Sequence, residues 1–276
     1  MSARRLFIAA LDRSLSRVMA HAPNGVANGL AGFVGRKLGR RLYPRAVANM
    51  RAALARLQPG QPTEALCAAN IDNVARSMME VPRLHRIQAE GRITVHGAEH
   101  ITARPVVVAG LHLANWEAIA PAMWQCGAPP TAIYEPPPDA FREMQAVRAR
   151  TPFCQRLLRG SPAATRTLVR TLEEERGVVL LFMDEVRQGC PNAPAMGRPI
   201  AQGGNISTIA RLARRAGAPV VLAHVTRHPG PRFEVHFSPP ITMPDDLHEG
   251  IAMLDAAAEA VVRPRLSQWL FLSYWR

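Results

Sequence analysis

Between residues 105 and 237 short apolar runs alternate with helix-length segments at least four times. Val106-Val107-Val108-Ala109 and residues 178–183 are continuous apolar runs, the pattern of strands buried on both faces. Residues 131–134, 219–225 and 233–237 read as further strands, and residues 93–96 alternate like one. Residues 115–125, 141–150, 163–176, 207–216 and 245–262 read as helices. Gly177 and Gly217 stand where glycine commonly ends a helix. Alternation of this kind predicts an α/β fold with a mostly parallel sheet flanked by helices. In such sheets functional groups gather in loops beyond the carboxyl ends of the strands.

The first 90 residues read differently. A helix over 47–57 stops before Pro59 and Gly60, and a second spans 64–82 with Thr63 as its N-cap. Asn70 and Asn73 fall inside that second helix, either on its solvent face or, for Asn73, supporting a neighbouring loop. The organisation is a basic helical cap over residues 1–90 on an α/β body over 91–276, as one continuous domain. The chain carries 34 Lys and Arg against 21 Asp and Glu, for a net charge of +13. Residues 1–60 hold eleven of those bases and one acid, Asp12. Such a block either seeks an anionic surface or is a solvated arginine-rich face.

Leu6, Phe7, Leu11, Leu15, Val18 and Met19 make an apolar stripe on a basic helix over residues 1–22, suited to a membrane interface or to ordinary packing. No run reaches the ~18 apolar residues of a membrane span, so the expectation is peripheral attachment with no transmembrane span. Aromatic content of 5% argues against nucleic acid as a partner. The four cysteines lie far apart without a Cys-x-x-Cys pair, and no zinc-protease or phosphate-loop motif occurs, so no metal is expected.

Chemistry concentrates in Gly110-Leu111-His112-Leu113-Ala114-Asn115-Trp116-Glu117. Residues five apart on one helix point about 140° away from each other. His112 and Glu117 therefore meet only if His112 lies in the loop and Glu117 in the first helical turn, with Asn115 as N-cap. A carboxylate on one imidazole nitrogen fixes the tautomer and leaves the other nitrogen as a base. The plainer alternatives are a hydrogen-bonded turn histidine and a glutamate drawn to a helix start by its dipole. No Gly-x-Ser-x-Gly elbow supplies a serine nucleophile. Asp184 and Glu185 follow a buried apolar run, at the same sheet edge or in an ordinary acidic turn, and Arg198 in Gly197-Arg198-Pro199 is assigned to the same site.

The His112 block resembles the His-Phe-Gly-Asn-Trp-Glu block of bacterial lipid A biosynthesis acyltransferases, late acyl transferases of the glycerolipid acyltransferase superfamily with its His-x4-Asp/Glu motif. Further similarity lies in Asn49, Asn70-Ile71-Asp72-Asn73 to Glu80, residues 95–99, Tyr134-Glu135-Pro136, Arg148, Arg150, Phe182-Met183-Asp184-Glu185, Gly189, residues 201–212 and Trp269-Leu270, covering about residues 35–272. The chain departs from the pattern at Glu135, where arginine is common, and in residues 269–276.

The resemblance implies a glycerolipid acyltransferase-like fold. It also implies transfer of a fatty acyl group from an acyl carrier protein or coenzyme A thioester to a hydroxyl of a lipid A-like glycolipid, another glycolipid or a lysolipid. His112 would act as general base, with Glu117 orienting it and stabilising its imidazolium. Arg148 and Arg150 would bind acceptor phosphate or the donor's phosphopantetheine, with Asp184 and Glu185 beside them. No cofactor is implied beyond the thioester donor, and the location would be the cytoplasmic face of the bacterial inner membrane. A thioesterase at the same site, or a non-catalytic basic protein binding membranes or nucleic acid, are the alternative readings.

Overall fold

The two all-apolar runs lie side by side at the centre of a seven-stranded sheet in the computed structural model, which describes residues 13–14, 22–137 and 139–276. In chain order the strands are β1 (Ile93–His96), β2 (Val106–Gly110), β3 (Thr131–Tyr134), β4 (Arg156–Arg159), β5 (Val178–Phe182), β8 (Val220–His228) and β9 (Arg232–Phe237), and β6 (Val186–Arg187) with β7 (Cys190–Pro191) makes a separate small hairpin. The spatial order is β1-β9-β8-β2-β5-β3-β4. Every pairing in this sheet is parallel except that of β8 with β9. The α/β expectation is thus met. Strand β4 escapes a sequence reading because arginines flank a single Leu157-Leu158 pair, too short an apolar run to stand out.

Side-chain alternation on the strands divides the core in two. Val107, Ala109, Val179 and Leu181 face one way, onto α2 (Pro44–Leu57), α7 (Pro162–Glu173), α8 (Gly204–Ala216) and α9 (Leu247–Val262). Val106, Val108, Val178 and Leu180 face the other way, onto α4 (Leu84–Ala89) and α5 (Ile119–Gln125). Each aliphatic side chain buried in this way contributes about 1.5–3 kcal/mol relative to exposure. Helix α8 ends as expected on left-handed Gly217, at φ 56°. The glycine expectation fails after α7, where the left-handed residue is Arg176 at φ 52°. Gly177 is needed there for space, because a Cβ would lie 2.8 Å from the Thr171 methyl carbon.

The N-terminal helices are α1 (Asn24–Val34), α2 and α3 (Thr63–Glu80). Thr63 is the first residue of α3, not its cap; its hydroxyl donates to the Gln61 carbonyl. Asn70 and Asn73 do not face solvent. Both are buried, and their amides donate to the carbonyls of Leu266, Gln268 and Trp269, holding the segment after α9. Further along α3, Glu80 receives two hydrogen bonds from Arg227 of β8 (2.6 and 2.8 Å) and one from Asn115 (3.0 Å). This network joins the cap to the loop that carries His112. Among the described residues no helix is long and apolar enough to cross a membrane. The amphipathic helix expected over residues 1–22 falls almost wholly outside them.

Candidate active site

His112 sits two residues beyond the end of β2, in a loop, as the sequence predicts. Strand β2 pairs with β5 in the register Gly110↔Phe182, so residues two beyond each strand end come level with one another. Those residues are His112 and Asp184. The His112 Nδ1 lies 2.7 Å from Asp184 Oδ1, and the His112 backbone N–H donates to Oδ2 at 2.9 Å. Trp269 Nε1–H also donates to Oδ2, at 2.9 Å. Asp184 is fully buried and accepts from all three groups. A carboxylate beside Nδ1 assigns the proton to that nitrogen and leaves the Nε2 lone pair available.

Aromatic rings fix the imidazole plane. Phe182, Phe271 and Trp116 lie 4.3, 4.9 and 5.3 Å from it, centroid to centroid. Gly110 makes room for this packing, since a Cβ there would stand 2.9 Å from the Phe182 ring. The Leu270 backbone N–H donates to the His112 carbonyl at 3.0 Å, and Leu113 bridges to Trp269.

Glu117 occupies the first turn of the following helical segment, with the Asn115 side chain accepting from its backbone N–H, as the capping argument predicts. Its carboxylate is not the one hydrogen-bonded to His112. Arg150 at the end of α6 (Ala140–Arg150) holds it in a fork, Nε to Oε2 at 2.7 Å and a terminal nitrogen to Oε1 at 2.6 Å. Burial opposes ionisation of Glu117, but the Arg150 charge and hydrogen bonds outweigh it and hold the carboxyl below its ordinary range. Arg150 is likewise raised: burial acts against its charge and Glu117 more than restores it. The expectation that Glu117 orients His112 is therefore corrected. Asp184, expected among the substrate-binding residues, makes that contact.

His112, Glu117 and Arg150 line one cavity of about 420 Å³. Ala120, Ala132, Ile133, Leu157, Leu180 and Leu181 contribute to its lining, and Tyr134, Glu135, Glu185 and Asn205 add polar groups. Cys154 also faces it, but burial pushes its thiol up to about 11, so it carries no thiolate at neutral pH. An imidazole held by a carboxylate beside a cavity of mixed apolar and polar lining is suited to general-base chemistry on a substrate with a hydrocarbon part.

A family model described as bacterial lipid A biosynthesis acyltransferase matches residues 2–275. The chain belongs to this family. No curated protein matches it. The remaining expected site residues of this acyltransferase divide sharply. Glu185 lines the cavity and accepts from the Asn205 backbone N–H at 2.7 Å, at the start of α8. Arg148 is exposed on α6 and does not line the cavity. Arg198 is also elsewhere: its guanidinium donates to the carbonyls of Pro191, Pro194 and Ala195 and stacks 5.5 Å from the Trp275 ring centre. It braces a loop. Trp269 was matched in the sequence only as part of a family block, and nothing local marks it as a partner of Asp184.

Proposed function

We propose that this acyltransferase moves a fatty acyl group from an acyl carrier protein or coenzyme A thioester to a hydroxyl of a lipid A-like or other glycolipid. His112 is the general base. The observation that carries this reading is the His112–Asp184 contact beside a cavity lined in part by apolar side chains. The cavity takes the acyl chain and places the thioester carbon near the imidazole. Nε2 removes the acceptor proton, the oxygen attacks the thioester, and a tetrahedral oxyanion forms. Its collapse expels the thiolate, which takes from His112 the proton that the acceptor hydroxyl gave up. Asp184 stabilises the transient imidazolium by direct contact, and the ionised Glu117 assists through space. Arg148, exposed near the end of α6, would meet donor or acceptor phosphate, for which the planar guanidinium is suited, while Arg150 is engaged by Glu117.

The test is transfer from acyl carrier protein and from acyl-coenzyme A to purified glycolipid acceptors, read by mass spectrometry. Acylated acceptor with little thioester loss in its absence is the expected result. Equal thioester loss without acceptor would instead identify a thioesterase.

Peripheral attachment to the cytoplasmic face of an inner membrane belongs to the same reading. Phe33, Leu38 and Tyr43 are exposed apolar side chains interspersed with exposed Lys37, Arg41 and Arg45. Arg36, Arg40 and Arg51 are instead engaged by Asp72 and Glu64. Each base near an anionic surface contributes about 1 kcal/mol, screened by salt. Replacing Lys37, Arg41 and Arg45 together by Gln should reduce co-sedimentation with anionic vesicles by up to about 100-fold at low salt. Unchanged binding would remove this face as the attachment surface.

A further inference from the structure

Away from the active-site cavity, three histidines converge on one carboxylate. His96 of β1 pairs with His236 of β9, and His236 pairs with His224 of β8. Glu234 lies two residues before His236, on the same face by strand alternation. The opposite face of these strands, Val95, Phe233 and Val235, packs into the core. Glu234 Oε2 stands 3.4 Å from His236 Nε2 and 4.0 Å from His96 Nε2. Its other oxygen, Oε1, lies 3.1 Å from His228 Nε2.

We propose that His96, Glu234 and His236 form a site for a divalent transition metal of the zinc type. Zinc bonds of about 2.0–2.2 Å to nitrogen and oxygen in a tetrahedron put neighbouring ligand atoms about 3.3–3.4 Å apart. The three ligand atoms here lie within 4.8 Å of one another, close to that requirement. Two imidazoles and one carboxylate are a recurrent zinc donor set, leaving the fourth position to water. His228 fills the role of an outer partner, hydrogen-bonding the oxygen of Glu234 that the metal does not take. His96 and His236 are stacked at 4.7 Å with their planes 12° apart, so binding requires both rings to turn about χ2 until their lone pairs meet at one point.

Access is open. The three side chains are 50, 35 and 32% exposed for His96, Glu234 and His236, and Glu234 and His228 line a surface groove of about 700 Å³. The ion-pair partners of Glu234 among the described residues are these histidines, so no arginine competes for its charge. The bound ion would clamp β1, an edge strand whose neighbour in the sheet is β9 alone, to the rest of the sheet.

The test is titration of the chelator-treated, full-length protein with Zn²⁺ by calorimetry, with Co²⁺ absorption as a report on coordination geometry. The proposal expects one saturable equivalent and a rise in melting temperature. Glu234→Gln and His236→Ala should each weaken binding by more than about 100-fold, and His228→Ala by about 10- to 100-fold. His248→Ala, remote in sequence and bonded to Gln202, should leave binding unchanged. Circular dichroism separates lost binding from lost folding. Absence of a saturable equivalent in the wild type, or undiminished affinity in a folded His236→Ala or Glu234→Gln protein, overturns the site.

Discussion

His112→Ala should lower acyl transfer by about 10²–10⁴-fold, the usual contribution of a positioned general base, while the fold survives because Asp184 keeps its hydrogen bonds from the residue-112 backbone and from Trp269. The more informative companion is Asp184→Asn. Oδ2 accepts from the His112 backbone and from Trp269, so an asparagine keeps its carbonyl oxygen there. Its amide nitrogen is then forced against His112 Nδ1, where Oδ1 stood. An amide donates, so the imidazole proton moves to Nε2 and the base loses its lone pair. The corresponding exchange in a serine-protease triad costs about 10⁴-fold in turnover through the same change of tautomer. The Asn variant should approach His112→Ala in activity while still folding. Near-normal turnover in either, measured on a genuine acceptor, would show that His112 is not the base.

Arg150→Met is expected to destabilise the fold by about 3–5 kcal/mol, because it strands the buried Glu117 carboxylate without its partner. For a chain of this size that is a fall in melting temperature of roughly 6–20 °C. The pair also sets an acid limit. The folded-state pKa of Glu117 lies below its unfolded value, near 4.3. Its stabilisation is therefore complete above the unfolded value and is lost as pH falls through the lowered folded one. In Arg150→Met burial acts unopposed, the Glu117 pKa rises, and that acid-side loss should vanish from the pH–stability profile. Glu117→Gln leaves the half-buried Arg150 without its charged partner, so its damage falls on stability as well as on rate. Melting curves of wild type and Arg150→Met between pH 3 and 8 check both statements. An Arg150→Met protein that melts with the wild type at neutral pH would contradict them.

The central strands were legible in the sequence because burial on both faces leaves an uninterrupted apolar run, as in β2 and β5. The loop position of His112 followed from the end of that run, and the cap at Asn115 from its residue type. The partner of His112 was not legible. Glu117 is five residues away in sequence and Asp184 is 72 away, and only the adjacency and register of β2 and β5 decide between them. Strand order is a tertiary property with no local signature here. Arg198 shows the complementary failure: a conspicuous arginine between glycine and proline suggested a site, but the carbonyls it serves are created by the fold of its own loop. For Asn73 the loop-supporting alternative holds, but neither it nor Asn70 reveals its acceptors in the sequence, since these lie almost 200 residues further along the chain.

The same long separations govern when the base comes into being during folding. β2 finds β5 across the two intervening strands β3 and β4, and Asp184 receives its Trp269 hydrogen bond from beyond α9. Contacts between distant segments must overcome loop-closure entropy before they are rewarded, so they tend to form late. A partly folded chain with native helices but an unfinished sheet would hold His112 as an ordinary, unoriented imidazole. Appearance of acyl transfer during refolding should consequently lag behind recovery of helical signal, and turnover would serve as a reporter of completed topology.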